Sequence, residues 1–328
     1  MRNFLRFVAI YFLAGIAFVA LVRDDPVALI GGLVAALPAT ALYFVQKGWW
    51  LIAGVVALFF VLPRGEVMAR LPRAFLVLMV CNLFFLTFTM VKTSLPYAMP
   101  FWADPPLAAL DRVLHLGVDP YVLTHAIGAW IPPAAAVAIY MGAWIVPAMY
   151  LPVILVLFDG DRARVGRFLL LYAVGWALLG SVLALGGLSA GPIFYDRLLG
   201  GDRFAGLIEA LAASGISASM TGQVQDFLWG VYASGAQGVG SGISAFPSVH
   251  VGMACVVSLY LYERARWLAP LSVAITGVFL FLSVHLGWHY AVDGYASIAV
   301  ILATWAVARR RQSVRPAPEL ADLSPETI

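Results

Sequence analysis

The chain has 328 residues, of which 62% are hydrophobic and 11% charged, with a net charge of +3 and a mean hydropathy of +0.92. An ordinary soluble domain carries about 25% charged residues, so this composition excludes a soluble globular enzyme, a disordered chain and a disulfide-framed secreted module. The small net charge gives no argument for nucleic acid. Cys81 and Cys255 both lie in apolar runs and read neither as a structural disulfide nor as metal ligands. The chain reads as an all-α polytopic membrane protein.

A transmembrane helix needs about 20 mostly apolar residues. In chain order the apolar runs predict spans over 4–22, 26–45, 49–62, 74–91, 132–158, 166–187, 249–262, 267–285 and 289–308. Arg2 and Arg6 precede the first run, but no small-x-small cleavage site follows it, so a retained helix is expected rather than a signal peptide. The 49–62 run is short for a crossing and is expected to be re-entrant or tilted.

Lys and Arg concentrate in cytoplasmic loops. Four short segments are basic: Arg64/Arg70/Arg73, Arg162/Arg164/Arg167, Arg264/Arg266 and Arg309/Arg310/Arg311. Counting back from a cytoplasmic tail, the last six spans put all four on one side, and the loops 92–131 and 188–246 and the turn 285–289 on the other. Nine crossings would place Arg2 and Arg6 outside and eight would place them inside; eight is the preferred count. The expected organisation is N-terminal transmembrane helices over 1–73, a six-helix core over 74–308, and a disordered cytoplasmic tail over 309–328 that is rich in Pro and Glu.

Of the two long outward loops, 92–131 carries Leu107, Leu110, Val113 and Leu114 at helical spacing, with Asp111 and Arg112 between them and Trp102 and Tyr121 on the flanks. The pattern predicts a short amphipathic helix in the membrane interface, with His115 and His125 as packing or hydrogen-bonding groups. The loop 188–246 is Gly/Ser-rich and too long to be a mere connection. Its Arg197 and Arg203 stand on the outer side against the charge bias.

Ionisable residues within a span are costly and are functional candidates. Pro247-Ser248-Val249-His250 opens one span and His289-Tyr290-Ala291-Val292-Asp293 opens the last, both at the outer boundary. Pro247 suits a first helical turn, where open amides and the helix dipole favour a phosphate. Four residues apart, His289 and Asp293 share a face on a helix. The carboxylate can then orient one ring nitrogen and leave the other as a nucleophile, while His250 on another helix could protonate a leaving oxygen. Phosphoryl transfer through a phosphohistidine, a transport or proton-relay role, and a purely structural role all remain open on these residues. Two His and one Asp could also hold zinc, but no Cys or Glu supports it.

These motifs resemble the type 2 phosphatidic acid phosphatase superfamily. That family carries Pro-Ser-Gly-His and, separately, Ser-Arg, five residues, His, three residues, Asp. Pro247, Ser248 and His250 match the first, with Val249 in the glycine place. His289 and Asp293 match the second within SVHLGWHYAVD, with the familiar Leu286-Gly287 ahead of the histidine. Leu282 and Ser283 stand where Ser-Arg would be, and a clean Lys-x6-Arg-Pro motif is missing before His250. Both departures resemble the inositol phosphorylceramide synthase-like branch, to whose FPS-x-H and HY-x-VD patterns residues 245–250 and 289–293 are similar.

The resemblance implies a six-helix phosphatidic acid phosphatase-like core with two or three extra N-terminal helices. It implies that His289 attacks phosphorus, Asp293 orients it and His250 protonates the departing group, with no metal or cofactor. A cation must still neutralise the phosphate. Arg197 is the first candidate and Lys92 the second; Tyr195 and Ser248 are expected to line the pocket. The bland alternatives are an ion pair of Arg197 with Asp196 or Asp202, and snorkelling of Lys92 to headgroups.

The expected activity is cleavage or transfer of a phosphate-containing group of a membrane lipid at the outer face, tilted toward transfer. The alternative is a transporter or channel using the His–Asp pair as a relay. Arg-over-Lys, Ala- and Leu-rich usage suggests a bacterial cytoplasmic membrane with the site facing the periplasm.

Overall fold

The computed structural model describes residues 1–235 and 241–313, and every regular element among them is helical. Seven helices are long and apolar enough to cross a membrane: α1 (Arg2–Val22), α2 (Pro26–Lys47), α4 (Arg64–Ala98), α7 (Pro133–Phe158), α8 (Arg162–Gly186), α13 (Arg266–His285) and the last, α14, which starts at Ala291. Between α2 and α4 lies the twelve-residue α3 (Trp50–Val61). The loop after α4 folds into α5 (Asp104–Leu114) and α6 (Pro120–Gly128). The long loop after α8 forms α9 (Pro192–Leu199), α10 (Ala205–Ala213) and α11 (Met220–Ala233), and then leads into α12 (Val249–Arg264).

With no water in the bilayer core, each backbone amide must be satisfied within its own helix, so an apolar chain of this kind folds as a helical bundle. Its largest core cluster joins Phe4 and Val8 of α1 to Phe84 and Phe88 of α4, Tyr172 and Trp176 of α8, and Met253 and Val256 of α12. Phe88 meets Trp176 edge to face at 4.6 Å, a favoured aromatic geometry. Tyr11 of α1 hydrogen-bonds Ser181 of α8 at 2.7 Å. The first helix is therefore a packed member of the bundle, sharing one core with the later helices. Cys81 and Cys255 are free and buried.

One end of the bundle collects the arginines. Arg164 grips Asp159 with two hydrogen bonds of 2.6 Å. Arg167 pairs with Glu263 and Gln312, and Glu263 also accepts the Trp305 indole at 2.6 Å. Met1 lines a groove with Arg70, Arg73, Asp159 and Arg162, so α1 starts at this end. Gly54 of α3 packs on the Phe158 ring, also here. The 16-residue α12 also leads from the cavity at His250 to this end at Arg264, and the short α3 lies beside it.

Three details differ from the sequence expectations. The last helix begins at Ala291, so His289 and Tyr290 precede it and the His289–Asp293 pair is not an i,i+4 pair along a helix. That helix runs to Ser313, because the Arg167 network and a Gln312 bond to the Ala163 carbonyl (3.0 Å) hold its last turn; residues 309–313 are thus helix, and the tail expected to be disordered lies, from 314 on, outside the described residues. Pro247 precedes the N-cap Ser248 rather than filling the first helical turn, and its bond to Phe246 is cis.

Glu263 is the shared acceptor for Arg167 and Trp305, with both charged side chains about nine-tenths buried. Removing one partner of a buried pair strands the other charge. Glu263→Ala is expected to destabilise the bundle by about 3 kcal/mol, read as a lowered midpoint of thermal unfolding in detergent micelles.

Candidate active site

The site lies at the end opposite the arginines, where α12 and α14 begin side by side. Each start is capped differently. At α12, the Ser248 hydroxyl accepts the Val251 N–H (3.4 Å), an N-cap bond. At α14 the N-cap is Tyr290, which has no short acceptor side chain. Asp293, three residues on, reaches back instead, and its Oδ2 accepts the Tyr290 N–H at 3.1 Å, the return arm of a capping box. The same oxygen accepts His289 Nδ1–H at 3.2 Å. A single carboxylate oxygen thus caps the helix and orients the imidazole. Read as a donor bond, the His289–Asp293 contact puts the ring's proton on Nδ1 and the lone pair on Nε2.

The two helix starts are joined directly. The Ser248 N–H donates to the Asp293 carbonyl at 3.2 Å, and the Ser297 hydroxyl bonds the same carbonyl at 2.9 Å. Farther out, the Ala245 and Phe246 amides bond the carbonyl and hydroxyl of Ser189 at 2.8 and 3.0 Å. Gly191, two residues along, has φ +93° and approaches the Trp288 carbonyl so closely that a Cβ would stand 2.5 Å from it; only glycine meets both demands.

His250 and His289 line one cavity of about 180 Å³, together with Lys92, Tyr140, Phe194 and Trp288. The His250 ring stacks on Trp144 (centroids 3.9 Å, 19° between planes) and on Tyr140 (4.4 Å, 7°). Tyr140 belongs to a π-helical stretch, Ala138–Ala143, and Gly180, on the cavity wall, to a second, Val174–Leu183. Such wide turns recur at functional sites. Here they bring side chains from mid-helix to the cavity wall.

Of the candidate cations only Lys92 reaches the cavity. It forms no ion pair among the described residues and shares the cavity wall with both histidines. The 241–245 segment passes over it so tightly that a Cβ on Gly242 would lie 2.7 Å from the Lys92 backbone.

Arg197, the first candidate from sequence, does not line the cavity. Its side chain is 42% exposed and pairs with Asp226 at 3.1 Å, facing Trp229. The cause is α11, which the sequence reading left as loop and which sets Asp226 beside Arg197. The expected alternatives Asp196 and Asp202 are not its partners; Asp196 instead accepts the Phe204 N–H at 2.8 Å. Tyr195 also lies off the cavity wall, its ring against Phe204 at 5.1 Å. Ser248, also expected to line the pocket, is fully buried as the cap of α12 and does not reach the cavity wall. Arg203 forms a two-pronged pair with Asp119 at 2.6 and 2.9 Å, which pushes the guanidinium further up.

The interfacial helix forms as α5, but with its polar side inward. Leu110, Val113 and Leu114 are exposed, while Asp104, Ala108 and Asp111 are buried. Asp104 accepts the amides of Ala190 (2.7 Å) and Gly191 (2.9 Å) and the Tyr290 hydroxyl (2.9 Å). Burial pushes the Asp104 and Asp111 carboxyls above the ordinary carboxylate range, against the pull of the amides they bind. His115 bonds the Tyr295 hydroxyl at 2.9 Å, and His125 stacks on His285 at 4.3 Å. Sequence reasoning missed Tyr140, Trp144, Asp104 and Asp111 as members of the site. The two aspartates, seven residues apart and opposite a leucine stripe, were the available signal; nothing local marks the two aromatics.

A profile of the PAP2 superfamily matches residues 105–307, and the chain belongs to that superfamily. No curated protein and no solved structure matches it. Membership brings with it phosphatase- or phosphotransferase-type chemistry. The matched stretch holds Asp111 and both histidine motifs, and Lys92 and Asp104 stand outside it.

Stacking of this kind contributes about 1 kcal/mol per ring pair. Trp144→Leu is expected to lower turnover of phosphate esters about tenfold while leaving the melting temperature in detergent near that of the parent, as assayed by phosphate or headgroup release.

Proposed function

We propose that the protein is a lipid phosphotransferase or phosphatase that works at the outer membrane face through a phosphohistidine at His289. The observation that carries this reading is the shared cavity: a histidine held by a carboxylate, a second histidine and a lysine all line it.

In the first half-reaction the His289 Nε2 lone pair attacks phosphorus, while Nδ1–H stays on Asp293. The bond from phosphorus to the leaving oxygen breaks, its electron pair stays on oxygen, and His250 supplies the proton. In the second, water or a lipid hydroxyl returns a proton to His250 and attacks phosphorus. The P–N bond breaks and neutral His289 is restored. Atoms and charge balance without a further reactant. Lys92 neutralises the phosphoryl oxygens through both steps, which is where most of the catalysis of this reaction class resides. The opening residues of α12, Val249 and His250, also border the cavity, where helix-start amides favour an anion.

Lys92 and the protonated His250 that the first step requires both line the cavity, so two positive charges can meet the phosphate of either a monoester or a diester. The FPS-x-H and HY-x-VD motifs favour a diester with a lipid hydroxyl as acceptor, as in the inositol phosphorylceramide synthase-like branch. The largely apolar wall suits an acyl chain. A bacterial cytoplasmic membrane, with the site toward the periplasm, is the setting we assign from the arginine distribution.

The test uses purified protein in detergent with fluorescent phosphatidic acid and phosphatidylinositol, with and without a lipid alcohol. His289→Ala is expected to reduce turnover by about a thousandfold or more, and an acid-labile phosphoryl adduct is expected on His289 of the parent. Lys92→Met is expected to cost about a hundredfold, more for the monoester than for the diester. Full turnover by His289→Ala would remove the covalent mechanism. For orientation, Gly200→Cys is expected to react with a membrane-impermeant maleimide in intact cells and Arg162→Cys only after the membrane is permeabilised; labelling of both in intact cells refutes the two-ended arrangement.

A further inference from the structure

Helix α5 is too short to cross the membrane, and its leucines alone would hold it at an interface. Even so, three of its polar side chains, Asp104, Asp111 and His115, point inward at spacings of seven and four residues, which fall on one helical face. All three engage residues at the start of α14: Asp104 takes the Tyr290 hydroxyl, His115 the Tyr295 hydroxyl, and Asp111 the backbone itself. The Asp111 Oδ2 accepts the Ala291 N–H and its Oδ1 the Val292 N–H, each at 3.0 Å. Asp111 is 2% exposed.

A helix start leaves its first amides without partners. In α14 the Tyr290 N–H is met by Asp293 and the Asp293 N–H by the Tyr290 carbonyl (3.2 Å). The two amides between them, at Ala291 and Val292, have no local acceptor, because tyrosine occupies the N-cap. The other carboxylate at this turn is Asp293, whose Oδ2 holds His289 and the Tyr290 amide and whose buried Oδ1 has no partner among the described residues. Without Asp111, the uncapped amides would draw that open Oδ1 toward themselves and turn the carboxylate off the imidazole.

We infer that Asp111 is a positioning residue for the His289–Asp293 pair: by capping Ala291 and Val292 from a separate helix, it keeps the Asp293 carboxylate on the imidazole. Asp111 touches no reacting atom and acts only through the start of α14. This inference rests on the reading of His289 as the nucleophile, and its test separates the two.

The full-length protein in detergent micelles, with 15N-labelled histidine, reports the His289 Nδ1–H as a downfield proton bonded to a carboxylate. Asp111→Ala is expected to lose that signal and to lower kcat on fluorescent phosphatidylinositol about a hundredfold at unchanged KM, the effect of a small misplacement. Asp111→Asn keeps one acceptor but turns an NH2 toward the other amide, and is expected to fall between; Asp111→Glu is expected to recover part of the signal. Arg203→Ala, which breaks the Arg203–Asp119 pair elsewhere in the outer loops, controls for general loosening and should keep the proton. If Asp111→Ala does not fold, the Asn and Glu variants decide. An unchanged downfield proton and unchanged kcat in a folded Asp111 variant overturn the inference. If the parent turns over no lipid, the functional reading fails, and the histidine spectrum still decides the role of Asp111.

Discussion

The bond on which the site end of this protein depends is that from the Ser248 N–H to the Asp293 carbonyl. Far apart in sequence, the two residues open neighbouring helices, and each motif carries one histidine. A backbone bond of this kind tolerates little slippage where water is scarce, because each unmet polar group there costs several kcal/mol. Registering α12 against α14 in this way sets His250 and His289 on one cavity. The bonds of Ser189 to the Ala245 and Phe246 amides extend the same register to the loop after α8, and Asp104 extends it to α5.

Around that joint the two ends of the bundle solve opposite problems. At the arginine end charges are paired in plain view: Arg164 with Asp159, Arg167 with Glu263. At the site end, three buried carboxylates, those of Asp104, Asp111 and Asp293, are held by amides, a tyrosine and a histidine rather than by Lys or Arg, with Asp293 Oδ1 left without a partner among the described residues. The cation that is present, Lys92, is left facing the cavity instead of being consumed in an ion pair. For a phosphoryl-transfer site this division makes physical sense. An arginine or lysine neutralised by the carboxylates that shape the site would have little field left for the substrate, whereas amides can hold those carboxylates without competing for it.

Much of this was legible in the sequence. The spans followed from apolar length, the gathering of arginines at one end from four short basic segments, and the histidine pair from the spacing of two short motifs. Lys92 was the second candidate cation, from its place at the end of an apolar run. What misled was locality. Arg197 looked right because of its place in the chain, yet its partner, Asp226, sits on a helix formed inside a Gly/Ser-rich loop. The i,i+4 argument for His289 and Asp293 identified the right pair through the wrong geometry, since the helix starts between them and the pairing belongs to its cap.

By itself, then, the sequence determined that the chain is a helical membrane protein, which end carries the positive charge, and which residue types are available for chemistry at the other. Those properties depend on composition and on spacing within a single segment, because hydrophobic length and charge bias are local quantities. Tertiary structure alone decided which groups meet: that Trp144 and Tyr140 stack on His250, that Asp111 caps a helix 180 positions away, and that Lys92 rather than Arg197 faces both histidines. These depend on helix register and on the partners that buried amides find across the bundle. Such partners are selected by the cost of leaving a polar group unmet in an apolar interior, and that cost is set only once the helices have packed.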